Sequence, residues 1–154
     1  MEMHGNKIRV TKQFSFEMAH ALWNYDGACR HIHGHSYKLW VTVLGTPLSD
    51  PSDPKLGMVI DFGTLKKIVH EHIVKRFDHA LVLSKNSMSH LKSLSEPLWG
   101  KVEQVDFQPT SENLIAFFVT ILKEQLPDTV KLVHLKLQET ETSFAEWHAA
   151  DNES

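Results

Sequence analysis

From Ile8 the chain alternates. Ile8, Val10, Phe14, Phe16 and Met18 are apolar at even positions, while Arg9, Thr11, Gln13, Ser15 and Glu17 between them are polar. A period of two predicts a half-buried strand, and His20 continues its apolar side. After a loop containing Asp26 and Gly27, His33, His35, Tyr37, Leu39, Val41 and Val43 fall on one side of a second strand, with Ser36, Lys38 and Thr42 on the other. Trp40 and Leu44 blur that polar side. The Pro, Ser and Asp cluster from Thr46 to Gly57 reads as a loop.

The period then changes. Phe62, Leu65, Ile68, Val69, Ile73 and Phe77 recur at three- and four-residue spacing behind Asp61, which predicts a capped helix ending near Phe77. A second helix follows Pro109, with Thr110 or Ser111 as cap and Glu112 in its first turn. It carries Leu114, Phe117, Phe118, Ile121, Leu122 and Leu126 before Pro127 stops it. Ser84 to Gln108 shows no clear period. Val133, Leu135 and Leu137 mark a strand over Lys131 to Leu137, and Ser143 to His148 reads as its partner. The expected fold is α+β: a four-stranded antiparallel sheet with two helices on one face, in the order ββααββ.

Paired antiparallel, the first two strands bring His20 beside His33 and His35. Residues two apart on a strand share a face, and Gly34 between the latter pair leaves room for close approach. Three neutral imidazoles with a fourth position open form the donor set of a catalytic zinc site. Spacing does not exclude His31, which has the same parity. His70-Glu71-His72 lies on the first expected helix, where residues two apart diverge, so it is a poor chelator. Cys29, four residues before His33, stands near this site; a nearby cation favours thiolate, the form that acts as base or nucleophile.

With 154 residues, 42% hydrophobic and 23% charged, residues 1–154 are expected to form one globular domain. A net charge of -3 gives no general attraction to nucleic acid or an anionic membrane, so neither is an expected partner. Met1 to Lys12 contains no apolar run of signal-peptide length, which makes the cytoplasm the expected location, and a lone cysteine excludes an internal disulfide.

Several stretches occur in the order of a known family. They are Phe16-Glu17-Met18-Ala19-His20, Cys29 with His33-Gly34-His35, Gly57-Met58-Val59-Ile60-Asp61-Phe62, Phe77-Asp78-His79, Pro109-Thr110-Ser111-Glu112-Asn113 and Glu139-Thr140. Together they resemble the 6-pyruvoyltetrahydropterin synthase and 6-carboxytetrahydropterin synthase family over nearly the whole chain. The resemblance implies the tunnelling fold, a homohexamer built as a dimer of trimers, and active sites at subunit interfaces. It implies Zn2+ on His20, His33 and His35 but not His31, and a pterin triphosphate, 7,8-dihydroneopterin triphosphate, as substrate. Cys29 becomes the expected base, working with Asp78 and His79, often across a subunit boundary.

Glu139 continues the apolar parity of its strand, and a buried carboxylate needs donors. The resemblance makes it the pterin anchor, with Glu141 as a rival of the same parity and Thr110 and Ser111 as further ring contacts. Arg30 and Lys38 stay unassigned. The three-residue gap between Cys29 and His33 resembles the bacterial queuosine enzymes, so 6-carboxytetrahydropterin synthase is the expected activity. The sister 6-pyruvoyltetrahydropterin synthase and a non-catalytic zinc-stabilised binding protein are the alternatives, and Cys29 argues against a third subgroup that uses glutamate there. Two departures stand out: Ala21, where many relatives carry arginine, and the long Ser84–Gln108 stretch.

Overall fold

The computed structural model describes residues 5–91 and 98–153. The alternating stretches become β1 (Ile8–His20) and β2 (His33–Gly45), paired antiparallel with His20 opposite His33, Met18 opposite His35 and Phe16 opposite Tyr37. The apolar parity of each strand thus lands on one face. Phe16 stacks on Tyr37 with ring centroids 5.4 Å apart.

Asp61 caps α1 (Phe62–Val69), its side chain accepting from the Gly63 N–H. The helix widens into a π turn over His70–Val74 and closes as α2 (Lys75–Phe77). Leu65, Val69, Ile73 and Phe77 are all fully buried. A strict four-residue spacing drifts by about 40° per step on a 3.6-residue helix, and the i→i+5 turn absorbs that drift. Phe62, expected on the buried stripe, is half exposed and lies near the Lys12 ammonium instead.

Next come β3 (Ala80–Ser84), α3 (Lys85–Met88), β4 (Lys101–Val105), α4 (Ser111–Gln125), β5 (Lys131–Thr140) and β6 (Ser143–His148). The sheet therefore has six strands, in the order β4-β3-β1-β2-β5-β6, rather than the four expected. It is also mixed: β3 runs parallel to β1 and to β4. Ala80–Ser84 is buried along its whole length, and a strand covered on both faces carries no alternation to read. Residues 92–97 of the long aperiodic stretch lie outside the described residues.

β5 corrects a smaller expectation. Its pairing with β2 slips where Thr42 opposes His134 and Val43 opposes Leu132, so Leu132 enters the core in place of the half-buried Val133. Leu135 and Leu137 are buried as the parity predicted. The core joins the inward residues of β1, β2 and β5 to Leu65, Val69, Ile73 and Phe77 and to Leu114, Phe118 and Leu122 of α4. A smaller cluster, Ala21 with Leu81 and Leu83, packs against Met88, Leu91, Trp99 and Val102. Ala21 is thus a packing position here. No helix among the described residues is long and apolar enough to cross a membrane.

Candidate metal centre and active site

The β1–β2 register delivers His20, His33 and His35 to one end of the core face, where they meet Glu139 from β5. Their ligand atoms, with that of Glu139, all lie within 4.8 Å of one another. Nε2 of His20 is 3.1 Å from Nε2 of His33 and 3.3 Å from Oε1 of Glu139, and Nε2 of His35 is 3.0 Å from the same oxygen. Donors on a tetrahedral cation at zinc–nitrogen distances near 2.0–2.1 Å stand about 3.3 Å apart, so the three imidazole nitrogens can share such an ion with a fourth position open and Glu139 beside it.

The outer contacts fix the ring chemistry. Nδ1 of His20 is 2.7 Å from the Pro109 carbonyl, and Nδ1 of His33 is 2.7 Å from the His31 carbonyl. A carbonyl only accepts, so both Nδ1 atoms carry the proton and both Nε2 lone pairs face the centre. Nε2 of His35 is buried and, despite its nearness to Glu139, makes no hydrogen bond among the described residues. Burial lowers the His35 pKa; Glu139 opposes that shift, and His20 and His33 reinforce it, so the neutral form that ligates metal is favoured. The donor set fits a zinc-class cation.

Glu139 is held ionised, its pKa lowered to about 2, first by the hydrogen bond from His20 and then by the Ser111 hydroxyl, against a desolvation cost. With Nδ1 of His20 committed to Pro109, a donating Nε2 means an imidazolium; a cation among the Nε2 atoms would serve the carboxylate equally. Ser111 Oγ donates to Oε2 of Glu139 at 2.9 Å. Thr110 caps α4 instead, accepting from the Asn113 N–H. Glu141 lies exposed in the β5–β6 turn, outside the cluster.

A family model for 6-pyruvoyl tetrahydropterin synthase matches residues 9–150. The chain belongs to that family. Among curated proteins, the 6-carboxy-5,6,7,8-tetrahydropterin synthase of Haemophilus influenzae is 37% identical over 142 residues, covering 91% of this chain and 98% of that protein. The protein of the same description from Aquifex aeolicus is 33% identical, with 92% of this chain and 98% of its own length covered. The 6-pyruvoyl tetrahydropterin synthase structures from Plasmodium vivax and Caenorhabditis elegans share the fold. Their TM-scores are 0.70 and 0.65 at 20% and 22% identity, covering 93% and 96% of this chain and 98% and 99% of theirs.

The other family motifs occupy two places. Cys29 lies half-buried in a short 3₁₀ turn, Ala28–Arg30, and its carbonyl accepts from the Leu22 N–H at 3.0 Å, closing the loop that leads into β2. It shares a neighbour with the metal cluster: Tyr37, two residues beyond His35, is fully buried, and its hydroxyl makes no hydrogen bond among the described residues. Burial raises the Tyr37 pKa, and negative charge on Glu139 and Cys29 raises it further.

Asp78 and His79 pair with each other, Oδ2 to Nδ1 at 3.0 Å, and are tied to β1 at Glu17. Oδ1 of Asp78 accepts from the Glu17 N–H at 2.9 Å, and the His79 N–H donates to the Glu17 carbonyl at 2.6 Å. His79 adopts a left-handed backbone, φ 58°, that non-glycine residues rarely take and that the two Glu17 bonds hold. His79 and His35 line one cavity of about 450 Å3, but the hydrogen bonds and ion pairs of Asp78 and His79 go elsewhere than to the histidine cluster.

Sequence reasoning passed over Gln108 and Pro109 as functional residues. The Gln108 side chain clamps the Trp23 backbone on both sides, Nε2 to the carbonyl at 2.8 Å and Oε1 from the N–H at 2.9 Å, while Pro109 supplies the carbonyl that orients His20. For Pro109 the signal was present in the segment Pro109–Asn113, which reads as a helix start until β1 is seen beside it. Arg30 lines a separate cavity of about 410 Å3 with Trp23, Tyr25 and His31.

Proposed function

We propose that the chain is a zinc-dependent 6-carboxy-5,6,7,8-tetrahydropterin synthase, a cytoplasmic lyase of one domain that converts 7,8-dihydroneopterin triphosphate to 6-carboxytetrahydropterin, acetaldehyde and triphosphate for queuosine biosynthesis. The reading rests above all on the Haemophilus influenzae synthase, 37% identical over almost the full length of both chains. The convergent Nε2 atoms of His20, His33 and His35 agree with it.

In this reading the three imidazoles hold Zn2+. When bound, the ion would act as a Lewis acid toward the side-chain oxygens of the substrate and make the proton on the neighbouring carbon removable. Cys29, as thiolate, takes that proton. Glu139, its Oε2 fixed by Ser111, presents acceptor oxygens to the exocyclic amine and ring N–H of the pterin, a bidentate contact that sets the ring's orientation. Thr110 places Ser111 by starting α4 where it does. Asp78 orients His79 through Nδ1, leaving Nε2 free to relay a proton. Within the chain that pair bonds to Glu17, and in the dimer of trimers that the family resemblance implies it would meet Cys29 of a second copy.

The test is to incubate zinc-loaded protein with 7,8-dihydroneopterin triphosphate and follow acetaldehyde and the pterin product together by mass spectrometry. Acetaldehyde with 6-carboxytetrahydropterin is expected, and Cys29→Ala should abolish both while keeping zinc and fold. Formation of 6-pyruvoyltetrahydropterin without acetaldehyde would assign the sister activity. No turnover by folded, zinc-replete protein would leave a zinc-stabilised binding protein.

A further inference from the structure

A second cluster of metal-ligating groups lies on the face of the sheet turned away from α1 and α4. One ligand atom each of His134, Glu146 and His148 lies within 4.8 Å of the others. His134 and His148 are direct cross-strand partners on β5 and β6, and Glu146 precedes His148 by two residues, so the period of two sets all three on one face. The slip of β5 beside Val43 puts His134 there: with Leu132 and Leu135 both in the core, Val133 and His134 take the open side together.

The contacts within the cluster are those of a donor set. Oε1 of Glu146 is 2.9 Å from Nε2 of His134 and 3.7 Å from Nε2 of His148, and the two rings lie 4.4 Å apart at 33°. The cation placed to neutralise Glu146 is Lys136, its cross-strand partner, but that ammonium sits over Phe144 at 4.1 Å and Trp40 at 4.9 Å. Among the described residues, the Glu146 carboxylate is partnered by the two imidazoles alone. Lys131 pairs with Glu153, and Arg9 lines the adjoining cavity of about 530 Å3.

We propose that His134, Glu146 and His148 form a second metal site, for Zn2+ or another borderline divalent transition cation, that ties the edge strand β6 to β5. Two imidazole nitrogens and one carboxylate oxygen suit such ions, and bond lengths near 2.0–2.2 Å place tetrahedral ligands about 3.3 Å apart. The observed 2.9 and 3.7 Å bracket that edge, so small rotations of half-exposed side chains complete the site without moving backbone. Its remaining coordination positions open on the cavity beside it.

The experiment is a calorimetric titration of ZnCl2 into metal-stripped full-length protein at neutral pH, with His148→Ala, Glu146→Gln and His33→Ala beside the parent and folding checked by circular dichroism. Two classes of site are expected in the parent. His148→Ala and Glu146→Gln should each remove one zinc equivalent, and His33→Ala should remove the other. Parent isotherms with a single class that His33→Ala abolishes would overturn the proposal, as would variants at His148 and Glu146 that superpose on the parent. Loss of one class in His148→Ala with none in His33→Ala would uphold this site while failing the assignment of the first.

Discussion

His20 and His33 face each other across β1 and β2 with Nε2 atoms 3.1 Å apart, while Nδ1 of each is 2.7 Å from a main-chain carbonyl. Two lone pairs directed at one another at that distance repel, and a cation or a proton between them relieves the repulsion. The pair is therefore preset for an ion. Replacing His20, His33 or His35 with Ala should reduce retained zinc, after dialysis against a dilute chelator, by more than the roughly 10–100-fold affinity loss typical of removing an outer-shell partner. His31→Ala should leave that first equivalent in place, since His31 contributes only its carbonyl. Unchanged zinc in all three ligand variants would sink the assignment.

Tyr37 lies two residues beyond His35 on the same face, and its buried hydroxyl has no hydrogen-bond partner among the described residues. A buried unpaired hydroxyl carries a desolvation cost of about 1–3 kcal/mol, so Tyr37→Phe should match the parent in stability or exceed it by about 1 kcal/mol. Urea denaturation of the metal-free protein measures this. A loss above 1 kcal/mol would show that the hydroxyl is bonded.

Much of this site was legible because strand parity and antiparallel pairing are local rules. His20, His33 and His35 meet because the β1 and β2 alternations fix which face each presents. Strands β3 and β4 were not legible. Ala80–Ser84 is buried on both sides, and β4 pairs in parallel with a neighbour from which α3 and a long connection separate it, so neither leaves a periodic trace. The roles of Gln108 and Pro109 also escaped, because an amide clamp and a main-chain carbonyl depend on what folds against them. Asp78 and His79 were read as partners of Cys29; within the chain they bond to Glu17, which sequence spacing had no means of showing.

Adjacent residues at the start of α4 should separate stability from substrate binding. Thr110 caps the helix through Asn113, whereas Ser111 donates to Glu139. Thr110→Ala should cost about 1 kcal/mol of stability, the usual value of a lost cap, with KM near that of the parent. Ser111→Ala should raise KM for the pterin substrate by about tenfold, corresponding to roughly 1.4 kcal/mol from a hydrogen bond to a charged group. Denaturation and steady-state kinetics on both variants read the contrast. Equal KM values would remove Ser111 from ring positioning.

Acid stability should report on Asp78. The Glu17 N–H lowers its pKa below 3.8, and His79 and Lys101 reinforce the shift against the cost of desolvation. A carboxylate whose folded pKa lies below its unfolded value stabilises the fold above the unfolded value, and that contribution disappears as pH falls through the folded one. Asp78→Asn keeps an acceptor for the Glu17 N–H but removes the charge. The variant should therefore be less stable than the parent at neutral pH, and the difference should close as pH falls from the unfolded carboxylate range through the lower folded value. Asp78 is 38% exposed, so solvent screening keeps the effect modest. Denaturant midpoints for both proteins across that range test it: a gap that stays constant with pH would mean that the charge of Asp78 contributes nothing and that its hydrogen bond alone holds the His79 turn.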